Sequence, residues 1–190
     1  MKKLLSFLVL VVLLFATAAV TGQTKYKNTD VPLITKDLNG TTTSSDKSLT
    51  ENLKDIAEFS QFVNAYSTAK IAELDRHEMF TVFVVPNSGF SRFDKETLED
   101  MFGTKNIDKL KKIVSFHIVP GRVDLHSLEL VTAMDKPVSL RTIDGSIIHL
   151  QNDNGVVIVS SDGIKSRITQ ADFLHEKGYF HIVSELILPK

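Results

Sequence analysis

Histidine and carboxylate side chains cluster near the C-terminal end of the sequence, where they could hold a metal ion. The cluster consists of Asp172, His175 and His181. A zinc site needs three or four ligands converging at about 2 Å from the ion. His175 is expected in a turn and His181 on a strand, and neither cysteine nor a paired histidine spacing enforces convergence. We therefore predict no metal and no other cofactor.

Nucleophilic catalysis finds little support in the sequence. It requires an activated serine, threonine or cysteine beside a base, yet the chain has no cysteine and no Gly-x-Ser-x-Gly motif. The serines of Ser160–Gly163 adjoin an Asp-Gly pair, so a turn explains them. Glu99 and Asp100 fall on a predicted helix, where a solvated face is the simpler interpretation. Glycine-rich phosphate loops are missing, and we predict that the protein is not an enzyme.

Four residues are candidates for partner binding: Phe116, His117, Asp172 and Phe173. Phe116 and His117 lie between a predicted helix and a turn, and an aromatic anchor of this kind can dominate the contact energy of an interface. The alternative for His117 is a core histidine that donates a hydrogen bond to a backbone carbonyl. The Asp172 carboxylate could contact a partner or cation, or it could cap a turn by accepting backbone amides.

Phenylalanine is frequent in the first half of the predicted domain. An aromatic ligand pocket is one interpretation of this set. Its members recur at helix and strand periodicity, which favours a packed core instead. The set comprises Phe80, Phe83, Phe90, Phe93 and Phe102.

The N-terminus has the order of a secretory signal peptide. Two lysines precede the apolar run Leu4–Phe15, and small residues follow it. We predict a signal peptide over residues 1–22, with cleavage after Ala18 or retention as a membrane anchor as the alternatives. The prediction implies a secreted or periplasmic protein with no membrane span once the signal is removed.

The net charge and the composition of the chain disfavour some classes of binding partner. Removing residues 1–22 takes away Lys2 and Lys3 and no acidic residue, so the net charge changes from −1 to −3. This weak, mixed charge disfavours nucleic acid and anionic membrane surfaces. Because cysteine is absent, disulfides are excluded and the core alone must stabilise the fold.

Helical patterns dominate the first half of the chain. Residues 23–47 are polar and predict a loosely ordered lead-in before a domain at 48–189. Ser48 and Glu51 have the spacing of a capping box. The next apolar residues recur on one helix face: Leu49, Leu53, Ile56, Phe59 and Val63. Further helices are predicted over Ser67–Asp75, Phe93–Phe102 and Ile107–Val114.

Strands dominate the second half, which together with the helices predicts an α+β fold. Pro120-Gly121 suits the centre of a type II turn, and Asp144-Gly145 is typical of a hairpin. The predicted strands are Met79–Val85, Phe116–Val119, Val138–Ile143, Ser146–Gln151, Val156–Ser160, Lys165–Gln170 and Tyr179–Leu188.

Three segments in this order resemble the fasciclin-like domain family. Thr81–Phe90 is similar to its first signature, Ser115–Gly121 to its central Tyr-His segment, and Ile168–Pro189 to its C-terminal signature. Phe116 stands where the family usually has tyrosine, and Val85 replaces a small residue. The resemblance covers about Leu49 to Pro189.

The resemblance implies a β-wedge or sandwich of about seven strands with N-terminal helices packed along one side. It also implies a binding role, and we expect a single-domain bacterial member that adheres to a protein or polysaccharide at the cell envelope or matrix. Asp172 aligns with a receptor-contact segment of animal members, but its neighbours differ, which disfavours an animal receptor. A carrier of a small apolar ligand is the alternative, and an uncharacterised hydrolase or lyase is a third.

Overall fold

A seven-stranded sheet with helices along it organises the protein, as a computed structural model shows for residues 32–133, 138–159 and 163–189. The helices are α1 (Leu49–Leu53), α2 (Ser60–Ala69), α3 (Lys95–Phe102), α4 (Ile107–Phe116) and α5 (Leu125–Thr132). The strands are β1 (Thr35–Leu38), β2 (Thr41–Ser44), β3 (Phe80–Val84), β4 (Ile118–Pro120), β5 (Val138–Arg141), β6 (Ile147–Asn152), β7 (Val156–Val159), β8 (Lys165–His175) and β9 (Gly178–Val183).

The sheet has the strand order β4-β3-β9-β8-β7-β6-β5. β3 and β9 run parallel, whereas the other neighbours in the sheet are antiparallel. The sheet is bent so that its two ends approach each other. Ile143, just after β5, donates a backbone hydrogen bond of 2.8 Å to Ile118 in the edge strand β4. The predicted α+β fold with about seven strands is confirmed.

The core lies between the helices and the sheet. All five residues of β3 are buried. A strand that is covered on both faces has a nearly continuous apolar sequence instead of an alternating one, and the sequence of β3 fits this pattern. Phe80, Phe83 and Phe90 are buried, and Phe93 and Phe102 pack against them. The interpretation of these phenylalanines as core is therefore confirmed.

Helix starts follow the predicted chemistry, whereas helix lengths differ. The Ser48–Glu51 capping box is present. The single helical face predicted for Leu49 to Val63 is wrong, because Ile56 is extended and a 3-10 turn separates α1 from α2. The helix predicted over Ser67–Asp75 is also wrong: α2 ends at Ala69, and Lys70 turns the chain with a φ of 45°.

Three strand boundaries differ from the prediction for local reasons. Phe116 is the last residue of α4, so the extended segment begins only at Ile118. β9 ends at Val183, and the chain then leaves the sheet although Leu186 and Ile187 remain buried. β8 continues to His175 because a bulge carries it past Gln170.

The polar segment before α1 contains a β-hairpin. Asn39 and Gly40 have φ values of 53° and 83°, as a type I′ turn requires, and join β1 to β2. Leu38 is fully buried. The prediction of loose order is wrong here. The Asn-Gly turn, the buried Leu38 and two hydrogen bonds between Ser44 and the buried Asn52 order this polar hairpin. The predicted signal peptide over residues 1–22 lies outside the described residues and stays a prediction.

The turn between β8 and β9 touches β3 through a glycine. A Cβ atom on Gly178 would lie 2.1 Å from the carbonyl oxygen of Phe80. The residue also has a φ of 148°, a conformation that side chains rarely adopt. Gly178 therefore allows the turn to approach β3 as closely as the parallel β3–β9 pairing requires.

Substituting Gly178→Ala is expected to lower the free energy of unfolding by roughly 3–5 kcal/mol, from steric overlap and backbone strain together. Gly40→Ala is the matched control: φ is also positive, but the new methyl group meets open space. It should cost about 1 kcal/mol. Urea denaturation of both variants measures the difference, and equal losses would contradict the close approach at Gly178.

Candidate partner-binding site

Phe116 and His117 lie in the core at the end of α4. Phe116 is 1% exposed and His117 is fully buried. The backbone N–H of Ile187 donates to His117 Nε2 at 3.3 Å, so the proton is on Nδ1, which donates to the Ile113 carbonyl at 2.9 Å. Burial lowers the pKa of His117 to about 4, against the opposing effect of the Ile113 carbonyl. This placement agrees with the core interpretation, and a partner on the surface cannot reach either ring.

Phe173 is also a core residue. It is 1% exposed, and its ring stacks on Phe180 with centroids 5.1 Å apart. The ammonium group of Lys36 lies 4.6 Å from the centroid of the Phe173 ring. Of the four predicted partner-binding residues, burial thus withdraws Phe116, His117 and Phe173 from direct contact and leaves Asp172.

Asp172 lies in the β8 bulge with its side chain 38% exposed. The residue has a φ of 56°, and the register with β9 shifts between Gln170 and Phe173. Its Oδ1 accepts a hydrogen bond of 2.8 Å from the backbone N–H of Leu125, the first residue of α5. Asp172 therefore caps a backbone amide, as one interpretation predicted, although the amide belongs to a distant helix.

His181 completes the connection between the bulge and α5. Its Nδ1 accepts a 3.1 Å hydrogen bond from the Asp172 backbone, and its Nε2 donates to the Val123 carbonyl at 2.7 Å. The Asp172 carboxylate is 3.8 Å from Nδ1. Burial lowers the pKa of His181, while the Val123 carbonyl and the Asp172 charge act in the opposite direction. The neutral ring thus holds two backbone segments together.

Exposed cations and an aromatic ring surround this bulge. The guanidinium of Arg122 lies 5.1 Å from the ring centroid of Tyr179, which stacks on His181. Lys36 donates a 2.6 Å hydrogen bond to the Ala171 carbonyl. We name the surface formed by Lys36, Arg122, Asp172 and Tyr179 the Asp172 corner.

Sequence reasoning missed three members of this corner. Tyr179 and His181 are two residues apart on one strand and so share a face, which was a usable signal. Lys36 and Arg122 are brought in by the hairpin and by the loop before α5, and no spacing in the sequence connects them to Asp172.

Asp172, His175 and His181, the residues considered above as metal ligands, have separate structural contacts. His175 is 3% exposed, and its Nδ1 accepts from the Lys177 backbone at 3.3 Å while its ring packs 4.9 Å from Phe80. Burial lowers the pKa of His175 to about 4, with the carbonyls of Phe80 and Tyr179 opposing. In the described part of the chain, no group of three or more His, Cys, Asp or Glu residues could hold a metal ion.

One serine–histidine pair occurs on the sheet surface. Ser139 Oγ lies 2.9 Å from His149 Nδ1 across β5 and β6, and both side chains are exposed. Among residues 32–133, 138–159 and 163–189, no side chain hydrogen-bonds to the other ring nitrogen. A nucleophile needs a base that is itself oriented, so this pair is a cross-strand contact. Glu99 and Asp100 form exposed ion pairs with Lys95 and Lys109, as a solvated face would.

Comparison with known proteins identifies the fold and the family. The family model of the fasciclin domain matches residues 57–189. A solved FAS1 domain pair from the insect cell adhesion molecule Fasciclin I matches with a TM-score of 0.55 at 16% identity, covering 69% of this chain and 45% of that one. The chain therefore belongs to the fasciclin domain family.

Two curated relatives have a higher sequence identity to this chain than the Fasciclin I structure has. Protein sll1483 of Synechocystis sp. is 29% identical over 132 residues, which cover 69% of this chain and 67% of that protein. Periostin of Homo sapiens is 31% identical over 147 residues, which cover 76% of this chain but only 16% of periostin.

Within the residues that the structure describes, none of the helices has the length and apolar character that a membrane span requires.

Substitutions at Asp172 should separate its hydrogen bond from its backbone conformation. Asp172→Asn keeps an acceptor oxygen and tolerates positive φ, so its cost should be a few tenths of a kcal/mol. Asp172→Gly loses the acceptor but relieves the backbone and should cost about 1 kcal/mol. Asp172→Ala loses both and should cost about 2 kcal/mol. Any other order of stability, measured by urea denaturation, would contradict the capping role.

The buried histidines should make stability fall on acidification. His117 and His175 have folded pKa values of about 4, below the ordinary value near 6.5, so the unfolded chain binds more protons between these two values. Lowering the pH from 7.5 to 5 should therefore cost about 2 kcal/mol for each of them. Hydrogen bonds lower the pKa of the N-cap residues Asp94 and Asp124 and of Glu51 in its capping box. These groups lose their contribution only at lower pH.

Denaturation measured from pH 7.5 to 4.5 tests this dependence. His175→Gln should remove a large part of the slope of unfolding free energy against pH. His126→Gln, at an exposed position on α5, is the matched control and should leave the slope unchanged. A free energy of unfolding that stayed constant down to pH 5 would contradict neutral buried histidines.

Proposed function

We propose that this protein is an extracytoplasmic adhesion module that binds a protein or glycan partner at the cell envelope or matrix and catalyses no reaction. The predicted signal peptide supports export. Membership of the fasciclin domain family supports a binding role, because Fasciclin I in that family is a cell adhesion molecule. His117 and His181 each join two backbone segments. In the described residues, none of the buried histidines His117, His175 and His181 hydrogen-bonds to a nucleophilic side chain, which supports a non-catalytic role.

The observation that carries this proposal is the geometry of the Asp172 corner. Tryptophan, tyrosine and arginine are the side chains that most often dominate interface energies. Here Arg122 covers the ring of Tyr179, which stacks on His181, and His181 in turn contacts the partly exposed Asp172 carboxylate. The backbone beneath is fixed because Asp172 accepts a hydrogen bond from Leu125 at the start of α5 and His181 donates one to Val123 in the preceding loop. A rigid contact surface loses little conformational freedom on binding, which favours affinity.

The alternative, a carrier of a small apolar ligand, gains no comparable support. An apolar pocket of about 210 Å³ lies between α3, α4 and the C-terminal segment, lined by Met101, Ile113 and Leu188. Ligand sites usually exceed roughly 300 Å³. Its volume is too small for an enclosed drug-sized ligand.

Binding to intact cells tests the adhesion proposal. Fluorescently labelled protein should sediment with cells of the producing organism in a saturable manner, and Arg122→Ala should weaken this binding at least tenfold, as expected for a residue that dominates the interface. Arg141→Ala, at an exposed arginine that is not part of the Asp172 corner, is the matched control. Cells treated with protease or with periodate distinguish a protein partner from a glycan.

Two outcomes would contradict this proposal. Binding that never saturates would remove the adhesion function. Saturable binding that is equally strong in the Arg122→Ala and Arg141→Ala variants would move the contact surface away from the Asp172 corner.

A further inference from the structure

A second surface feature lies where α2 ends and the β8–β9 turn meets β3. It is a cleft of about 390 Å³, within the lower range of small-molecule sites. Tyr66, Lys70 and Asp75 line one wall, and Glu176 and Lys177 line the other. We call it the Tyr66 cleft; it shares no lining residue with the Asp172 corner.

The turn that forms one wall is fixed by backbone hydrogen bonds. Glu176 donates to the Lys47 carbonyl at 2.9 Å, and Phe80 donates to the Lys177 carbonyl at 2.8 Å. The Lys177 backbone also donates to His175 Nδ1 at 3.3 Å. The side chains of Glu176 and Lys177 therefore project from a rigid turn, which is the arrangement that a preformed site requires.

The opposite wall carries a strained lysine. Lys70 ends α2 in the left-handed conformation with φ 45° and ψ 62°, a position where glycine is the residue of lowest strain. A non-glycine residue in this region costs about 1 kcal/mol, and such strain clusters at functional sites. Here the strained residue lines the cleft.

The charges of the cleft balance and do not pair with each other. Lys70, Lys177, Asp75 and Glu176 all line the cleft, yet no ion pair within 4.0 Å joins any of the four among the residues that the structure describes. Burial and the nearby Glu176 charge raise the pKa of Tyr66 to about 12, so its hydroxyl remains a neutral donor. The cleft thus offers donors and acceptors with no net charge.

We propose that the Tyr66 cleft is a glycan site that holds a short, uncharged stretch of polysaccharide. The inference rests on the proposed binding function and assigns a chemical class to one of its partners. Sugar hydroxyls both donate and accept hydrogen bonds. They can therefore donate to the carboxylates of the cleft and accept from its ammonium groups and its phenol. The buried side chains of Ile71 and Phe80 provide an apolar floor for the C–H face of a ring.

Charge balance separates this ligand class from the others. An anionic sugar would gain from two lysines but would be repelled by two carboxylates in the same cleft, and for a cation the attraction and the repulsion would be exchanged. A neutral ligand avoids both repulsions and leaves each charged group free to form a charge-assisted hydrogen bond. A zwitterionic peptide terminus is the remaining competitor, and the test includes it.

Titration of the isotope-labelled full-length protein, followed by amide chemical shifts, tests the inference. The neutral probes are cellobiose, maltose and N,N′-diacetylchitobiose; digalacturonate is the anionic probe and the dipeptide Gly-Leu the zwitterionic one. At least one neutral disaccharide should bind with shifts centred on the cleft. Tyr66→Phe, which removes one hydroxyl, should weaken its affinity about five- to tenfold, and Glu176→Gln should weaken it at least as much.

Glu99→Gln on the exposed face of α3 is the matched control and should bind as the parent does. A Tyr66→Phe or Glu176→Gln protein with unchanged thermal stability and unchanged affinity would overturn the assignment. So would tighter binding of digalacturonate or Gly-Leu, shifts centred elsewhere, or no binding of any neutral disaccharide.

The cell-binding measurement separates this inference from the function on which it rests. Saturable adhesion by a protein that binds none of the neutral disaccharides overturns the glycan site and leaves the adhesion function standing. Disaccharide binding at the cleft without saturable adhesion to cells supports the site and overturns the adhesion function.

Discussion

The parallel pairing of β3 with β9 is the constraint on which both surfaces depend. Its register sets Phe83 opposite His181 and Phe80 opposite Gly178. The first pair brings His181 to the place where it can fasten the β8 bulge to the segment before α5. The second brings the β8–β9 turn against the start of β3 and forms one wall of the cleft. A shift by one residue would turn His181 to the other face of the sheet and undo both arrangements.

Buried neutral histidines connect distant backbone segments of this protein, as disulfide bonds do in many exported domains. His117 joins α4 to the segment after β9, and His181 joins the bulge to the loop before α5. Each ring both accepts and donates a backbone hydrogen bond, which a phenylalanine or leucine in its place cannot do. In a chain without cysteine, these contacts tie together segments that are far apart in sequence.

Local signals in the sequence were sufficient for the elements but not for their assembly. The capping box at Ser48 and the buried strand β3 follow from neighbouring residues alone, and both were predictable. The left-handed Lys70 and the bulge at Asp172 were not, because neither residue belongs to a local turn motif such as Asn39-Gly40, in which a positive φ is expected. The same limit applies to His117: a histidine at a helix end has no local feature that shows whether its ring faces solvent or core.

The joined ends of the sheet have a consequence for solubility. A sheet edge offers unpaired amide and carbonyl groups that recruit strands from other molecules. Here the two outermost strands are only three and four residues long, and the Ile143–Ile118 hydrogen bond lies where they approach. Little template therefore remains at this seven-stranded sheet for aggregation or for edge-to-edge association with another molecule.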